Sequence, residues 1–298
     1  MIKNFEELIE TVKAGEKKTV AIAAAQTPSA LEAAIMAKKE NLADSVLTGD
    51  KIAIEKYIKE LDPEMEGKFE IYDTGDDLVA AAEKSVELIH EGKAHLILKG
   101  KCNTETLLKA VLNKEKGLRT GNIMSDVLAI ETPDRIVLMG DGGFCPLPDL
   151  KEKVSIVKNC VKVAHSFGCE MPKVAMLTHS ESVNPKIQST VDAAVIAKMN
   201  QRGQIKDCII DGPFALDNAI CKVSAEMKGI KSEVAGDADV LVVANIEAGN
   251  LFGKTMTYYC KFRVAHVVMG AKVPILIASR ADTAEIKYLT MAMGILSA

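Results

Sequence analysis

The chain has 298 residues, 48% of them hydrophobic and 26% charged, and a formal net charge of -4 from 37 Lys+Arg against 41 Asp+Glu. That apolar content suffices for one large α/β unit or two medium domains and excludes a disordered chain. The acidic balance offers no electrostatic footprint for nucleic acid. The start, MIKNFEELIETVKAGEKK, is too charged for a signal peptide, and no apolar run is long enough to span a membrane. A cytoplasmic protein with neither nucleic acid nor membrane as partner is expected.

Taken in chain order, nearly continuous apolar runs at 19–25, 45–49, 69–73 and 94–100 read as strands, followed by runs at 135–141, 173–179, 208–213, 239–245 and 273–279. Such runs fit parallel strands covered on both faces. Helices lie between them. Over 76–90, Leu78, Val79, Ala82, Val86 and Ile89 make one apolar stripe; over 151–167, Val154, Val157, Val161 and Ala164 make another. The alternation predicts an α/β protein with three α/β/α layers. The segment ETPD (131–134) reads as a break before a second βα series, since Pro133 disfavours helix at Thr132.

Seven cysteines with no CxxC pair and no secretory signal argue against a disulfide framework or a zinc knuckle. The five histidines show no HxxxH or HExxH spacing, and aromatics are only 4% of the chain. No metal site is expected. Cys145, in MGDGGFCPLPDL, has no base near it in sequence that would make it a nucleophile. The same segment lacks the GxxxxGK[ST] and GxGxxG patterns of nucleotide loops.

Chemistry concentrates where strands are expected to end. Ser279 and Arg280 follow the run VPILIA, on the crevice side of a parallel sheet. Asp282 can cap the next helix with Glu285 as its capping-box partner, and the hydroxyl, guanidinium and helix start together suit an anion. In IEAGNLFGKTMTYY, Asn250 and Lys254 share a helix face. In DGPFALDNA, Asp211, Gly212 and Pro213 read as a tight turn with Asp217 early in the following helix. Lys99 and Gly100 end a strand, Thr104 begins a helix, and Arg119 lies in the glycine-flanked turn KGLRTGN. Each segment also reads as ordinary capping or a solvated charge. Their recurrence at strand ends points to a phosphoryl-containing substrate.

The ordered segments KGLRTGN, PKVAMLTHSESVNPKIQSTVDAA, GQIKDCIIDGPFALDNA, AGDADVLVV, IEAGNLFGKTMTY and GAKVPILIASRADTAEIK resemble the phosphate acyltransferase family, in its phosphate butyryltransferase branch, over essentially the whole chain. The resemblance implies reversible transfer of an acyl group between coenzyme A and inorganic phosphate. It also implies a fold similar to the isocitrate/isopropylmalate dehydrogenases, with an active-site cleft between two α/β domains. Those domains would be 1–130 plus 266–298, and 131–265. Acyl-CoA or coenzyme A, and phosphate or acyl phosphate, are the implied substrates; no tightly bound cofactor and no metal are implied. Members form homodimers or larger homo-oligomers.

By that resemblance Arg280 holds the phosphoryl group and Ser279 hydrogen-bonds the developing oxyanion without forming an acyl-enzyme. Lys99, Gly100, Thr104, Arg119, Asp141, Asp217, Asn250, Lys254 and Asp282 are expected to bind substrate. There are departures from the family pattern. Ile286 stands where the acetyltransferase branch has a thiol-deprotonating aspartate, which leaves Glu285 as the replacement base. Asp126 follows Ser125 where a histidine is usual, Asn122 replaces a basic residue, Gly140 replaces a threonine before Asp141, and Gly253 replaces a tyrosine. Gly253 is expected to leave room for a group larger than a butyryl tail. The alternatives are a non-catalytic or altered-specificity acyl-CoA-binding subunit, and a metal-dependent dehydrogenase whose carboxylate cluster and nicotinamide segment are not found.

Overall fold

A computed structural model describes residues 1–279 and 281–298. The chain divides into two compact units: a terminal unit of Phe5–Asn122 and Ala265–Ala298, and a central unit of Met1–Asn4 and Ile123–Val264. The first part runs α1 (Phe5–Ala14), β1 (Thr19–Ala23), α2 (Pro28–Lys39), β2 (Asp44–Gly49), α3 (Lys51–Leu61), β3 (Glu70–Asp73), α4 (Leu78–His90), β4 (Leu96–Lys99) and α5 (Thr104–Val111). Next come β5 (Ser125–Glu131), β6 (Ile136–Gly140), α6 (Leu150–Ser166), β7 (Lys173–Leu177), α7 (Gln188–Gln201), β8 (Ile209–Phe214), α8 (Leu216–Ile220), α9 (Lys222–Met227), β9 (Val240–Val242) and α10 (Ile246–Lys254). The chain finishes with β10 (Val264–Met269), β11 (Ile275–Leu276) and α11 (Ala284–Leu296).

In the terminal unit the strand order is β3-β2-β1-β4-β11-β10. It is parallel from β3 to β11, with β10 antiparallel to β11. Val20 to Ala23 of β1 and all of β4 are buried on both faces, as apolar strands between two helical layers must be. One group of helices sets α11 against α1 and α2; the other sets α4 against α5, β1 and β2. Because β1, β4 and β11 are adjacent and parallel, the loops that leave their carboxyl ends lie side by side. These are the loops after Ala23, Lys99 and Leu276. The order turns back on itself between β1 and β4, where such sheets open a crevice. Gly100 fits there because a Cβ would stand 2.3 Å from the Ala24 carbonyl oxygen.

In the central unit the order is β5-β6-β9-β7-β8, with β5 and β6 antiparallel and the remainder parallel. Three expectations change here. The segment 131–134 is the turn of the β5–β6 hairpin, closed by Thr132 N–H to the Arg135 carbonyl at 2.9 Å; a βα series does follow it from β6, but the turn lies inside the central unit, which begins at Ile123. Asp211–Pro213 lies inside β8, where the pairing with β7 shifts by a bulge, and does not end the strand. In α4 (terminal unit) the buried face is Ala81, Ala82, Ser85, Val86 and Leu88, while Val79 is exposed. The small residues bring α4 close to the sheet, where Ser85 and Thr48 hydroxyls lie 3.1 Å apart.

Candidate functional site

In the terminal unit the chain leaves β11 into a turn that carries an exposed Ser279. The Ser279 N–H donates to Asp282 Oδ2 at 2.6 Å, and the Asp282 N–H donates back to the Ser279 carbonyl at 3.1 Å. The Ala281 N–H reaches the Ser279 hydroxyl oxygen at 3.4 Å. The turn is therefore closed in both directions while the hydroxyl stays open to solvent. Thr283, not Asp282, caps α11, accepting from the Ile286 N–H at 3.3 Å. The carboxylate of Asp282 is already committed to Ser279, so the expected Asp282–Glu285 capping box does not form. Glu285 sits exposed in the first turn of α11. Arg280 lies outside the described residues.

Beneath this turn are two buried lysines. Lys287 donates from Nζ to the Asp282 carbonyl at 2.6 Å, and Lys99, at the end of β4, donates to the Cys102 carbonyl at 3.4 Å. Burial pushes the Lys287 ammonium below the usual lysine range; Asp282 opposes that shift and Lys99 reinforces it. Sequence reading singled out Lys99 but missed Lys287. The signal available was a lone lysine within a helix that is otherwise apolar almost all round.

Thr104 is the first residue of α5, capped by Asn103, whose side chain accepts from the Thr106 N–H at 2.7 Å. Arg119 is exposed and bridges Ala271 across the β10–β11 connection. These residues, with Ser279, Lys99 and Gly100, all belong to the terminal unit.

In the central unit Asp141 is 2% exposed and organises the loop after β6. Its Oδ1 accepts from the N–H groups of Gly143 and Phe144, and its Oδ2 accepts from that of Cys145. Burial and the nearby Asp126 charge raise its pKa above the usual carboxylate range, against the pull of those donors. Burial and the Asp141 charge push the Cys145 thiol up to about 12, which keeps it protonated and non-nucleophilic at neutral pH.

The loop seats α10. At Gly249 a Cβ would stand 2.6 Å from the Asp141 carbonyl oxygen and 2.7 Å from Gly142 Cα, so the helix meets the loop backbone on backbone. Asn245 caps α10 through the Ala248 N–H at 2.9 Å. Asn250 and Lys254 project from one exposed face; Asn250 Nδ2 lies 3.4 Å from the Gly142 carbonyl, and Lys254 Nζ lies over the Tyr258 ring. Asp217, in α8, accepts from the Ser224 hydroxyl and pairs with Lys228 at 3.3 Å; these partners, Ser224 first, hold its carboxyl below the usual range.

Two departures from the family pattern prove to be packing features. A Cβ at Gly140 would stand 2.5 Å from Cys160 Sγ, and one at Gly253 would stand 3.1 Å from Leu128 Cδ2. The Cβ position at Gly253 is bounded by the side-chain ends of Leu128 at 3.1 Å and Met139 at 3.8 Å.

Among the described residues no helix is long and apolar enough to cross a membrane, and no group of three or more His, Cys, Asp or Glu residues is placed to hold a metal ion.

The class these features define is an α/β protein whose parallel strand ends gather hydroxyl, ammonium and backbone N–H donors suited to oxyanions. The chain belongs to the phosphate acetyl/butaryl transferase family, whose pattern matches residues 4–85 and 76–295. It is 45% identical over 300 residues to the phosphate butyryltransferase of Clostridium acetobutylicum, covering 100% of this chain and 99% of the relative. It is 40% identical over 292 residues to the phosphate acetyltransferase of Thermotoga maritima, covering 97% of this chain and 98% of the relative. The crystal structure of a branched-chain phosphotransacylase from Enterococcus faecalis V583 superposes with a TM-score of 0.82 at 30% identity, covering 94% of this chain and 98% of that one.

Proposed function

We propose that this chain transfers a short acyl group reversibly between coenzyme A and inorganic phosphate, with butyryl as the nominal acyl group. The observation that carries this reading is the exposed Ser279 hydroxyl on a turn closed by Asp282, in a chain 45% identical along its whole length to a phosphate butyryltransferase.

In the direction from acyl phosphate, the coenzyme A thiolate attacks the acyl carbon. A C–S bond forms, the bond between the acyl carbon and the bridging oxygen breaks, and that oxygen leaves with phosphorus as inorganic phosphate. Ser279 donates its hydroxyl proton as a hydrogen bond to the oxyanion that develops on the acyl oxygen. Arg280 holds the phosphoryl oxygens with its donor fork. Glu285 takes the thiol proton, in place of the aspartate that Ile286 replaces. Asn250 and Lys254 meet the amide and phosphate groups of coenzyme A; Lys99, Gly100, Thr104, Arg119 and Asp282 serve the anionic end of the substrates. Asp141 acts by shaping the loop that seats α10, and Asp217 by anchoring α8. The protein works in the cytoplasm as a homodimer or larger homo-oligomer.

The alternative of a non-catalytic acyl-CoA-binding subunit is less well supported. The exchanges at Gly140 and Gly253 are accommodated within the central unit by Cys160, Ile156, Leu128 and Met139 around them. Purified protein mixed with a panel of acyl-CoAs and phosphate, with metal chelated, tests the reading. Phosphate-dependent release of free thiol is expected, fastest with a short acyl chain. Binding of acyl-CoA without any phosphate-dependent release would favour the non-catalytic alternative.

A further inference from the structure

We propose that Lys287 is a positioning residue that holds Ser279 in place through Asp282; its importance for turnover rests on the role given to Ser279 above. The connection is direct. Lys287 Nζ donates to the Asp282 carbonyl at 2.6 Å, and the Asp282 side chain accepts the Ser279 N–H at 2.6 Å. Asp282 is thus gripped at its main chain from below and grips Ser279 with its carboxylate from above. Both Lys287 and Asp282 are buried, at 4% and 7% exposure, so the Lys287–Asp282 bond is shielded from bulk water, while the Asp282–Ser279 bond is part-buried.

A lysine is costly at this position. Ten of the thirteen residues of α11 are buried, and an apolar side chain would fill the same space without desolvating a charge. The ammonium has three donors, and among the described residues it donates to a neutral carbonyl. Among the described residues the charged groups acting on it are Asp282, which favours the ammonium, and Lys99, at the end of the adjacent β4, which opposes it. Just past the end of α2, which packs against α11, Glu40 is held by Lys13 and Tyr288. A charge-assisted bond is about twice as strong as a neutral one, so the grip on Asp282 depends on the proton. Burial favours losing that proton at a lower pH than an ordinary lysine does. As pH rises through that point the bond weakens and the hold on Asp282, and through it on Ser279, loosens.

Two variants and two readouts test this. Hydrogen exchange of the Ser279 amide should be fast in Lys287→Met and slow in the wild type, in protein that melts as one cooperative transition. Lys287→Arg, which stays charged across the accessible range, should keep the slow exchange. Equal Ser279 exchange in wild type and Lys287→Met would overturn the proposal, whether or not the wild type turns over any acyl-CoA. In turnover, Lys287→Met should lower kcat by about 10- to 100-fold, the scale of a small misplacement of a reacting group. KM for acyl-CoA should move less than kcat. The fall in wild-type kcat at alkaline pH should be absent in Lys287→Arg. An alkaline limb unchanged in Lys287→Arg would also overturn the proposal.

Discussion

Lys153 and Asp192 face each other across α6 and α7 at 2.7 Å, with both side chains only 6% exposed. Gln188 Nε2 donates to the other carboxylate oxygen at 2.8 Å, so the pair is desolvated but well partnered. Removing one member strands a buried charge, whereas removing both does not. Lys153→Met should cost about 3–5 kcal/mol in denaturant unfolding. The double variant Lys153→Met/Asp192→Leu should recover most of that loss. A single variant of wild-type stability would show that the pair is hydrated in solution.

Gly249 sits where no Cβ fits without moving backbone, 2.6 Å from the Asp141 carbonyl oxygen. Gly249→Ala should destabilise the chain by about 1–3 kcal/mol, the usual range for overpacking. It should also raise KM for coenzyme A, because lifting α10 shifts Asn250 and Lys254 together. Calorimetric titration with coenzyme A, alongside thermal melts, separates the two effects. Unchanged affinity with lowered stability would remove α10 from the binding surface.

Tyr288 donates its hydroxyl to Glu40 at 2.7 Å, and Lys13 reaches the same carboxylate oxygen at 2.8 Å. Lys13 first, then Tyr288, hold the Glu40 carboxyl below its ordinary value. A carboxyl with a lowered folded pKa adds stability above its unfolded pKa and loses it as pH falls through the folded value. Tyr288→Phe should therefore cost about 1 kcal/mol at neutral pH, a modest sum because Glu40 is partly solvated. The difference from wild type should shrink in acid, once Glu40 is protonated in both states. Urea unfolding of the two proteins from pH 7 down to pH 3 measures it; a difference constant with pH would exclude Glu40 as the partner that matters.

Cys102, Cys145, Cys160 and Cys208 are buried, whereas Cys221 and Cys260 are exposed. Burial raises all four buried thiols, Cys208 to about 11 and Cys145 to about 12. At pH 8 a chromogenic disulfide should therefore react quickly with Cys221 and Cys260 and more slowly with Cys169. The other four should react only at the rate of unfolding. Fast labelling of a third thiol in Cys169→Ser would contradict this.

Parallel strands could be read directly from sequence, because burial on both faces demands unbroken apolar runs such as those of β1 and β4. Of the antiparallel strands, β6 and β11 fall in apolar runs of that kind, but β5 and β10 were not legible. The sequence of β5, SDVLAIE, opens with Ser125 and Asp126, whose burial is made tolerable only by partners far along the chain, such as Asn159 with the Ser125 hydroxyl at 2.8 Å. The Pro133 turn then resembles a boundary. The phase of α4 was misjudged because small residues, Ala81 and Ser85, face the sheet, and size is not hydrophobicity. Ser279 stood out as a polar residue where a strand had to end. Lys287 did not, because nothing local distinguishes a lysine that reaches inward to a carbonyl from one that reaches out to water. The seat of α10 was equally hidden, since Gly142 and Gly249 meet only after the chain has folded.

The protonated state of the buried cysteines bears on the chemical durability of the protein. Acyl phosphates and thioesters are acylating agents, and a protein that handles them exposes its own nucleophiles to attack at every turnover. Sulfur sealed from solvent and held as thiol cannot intercept the acyl group meant for coenzyme A. The core can thus carry four thiols as apolar filling without becoming a sink for substrate. Slow self-modification would fall on Cys221 and Cys260, at the surface, where an adduct disturbs no packing.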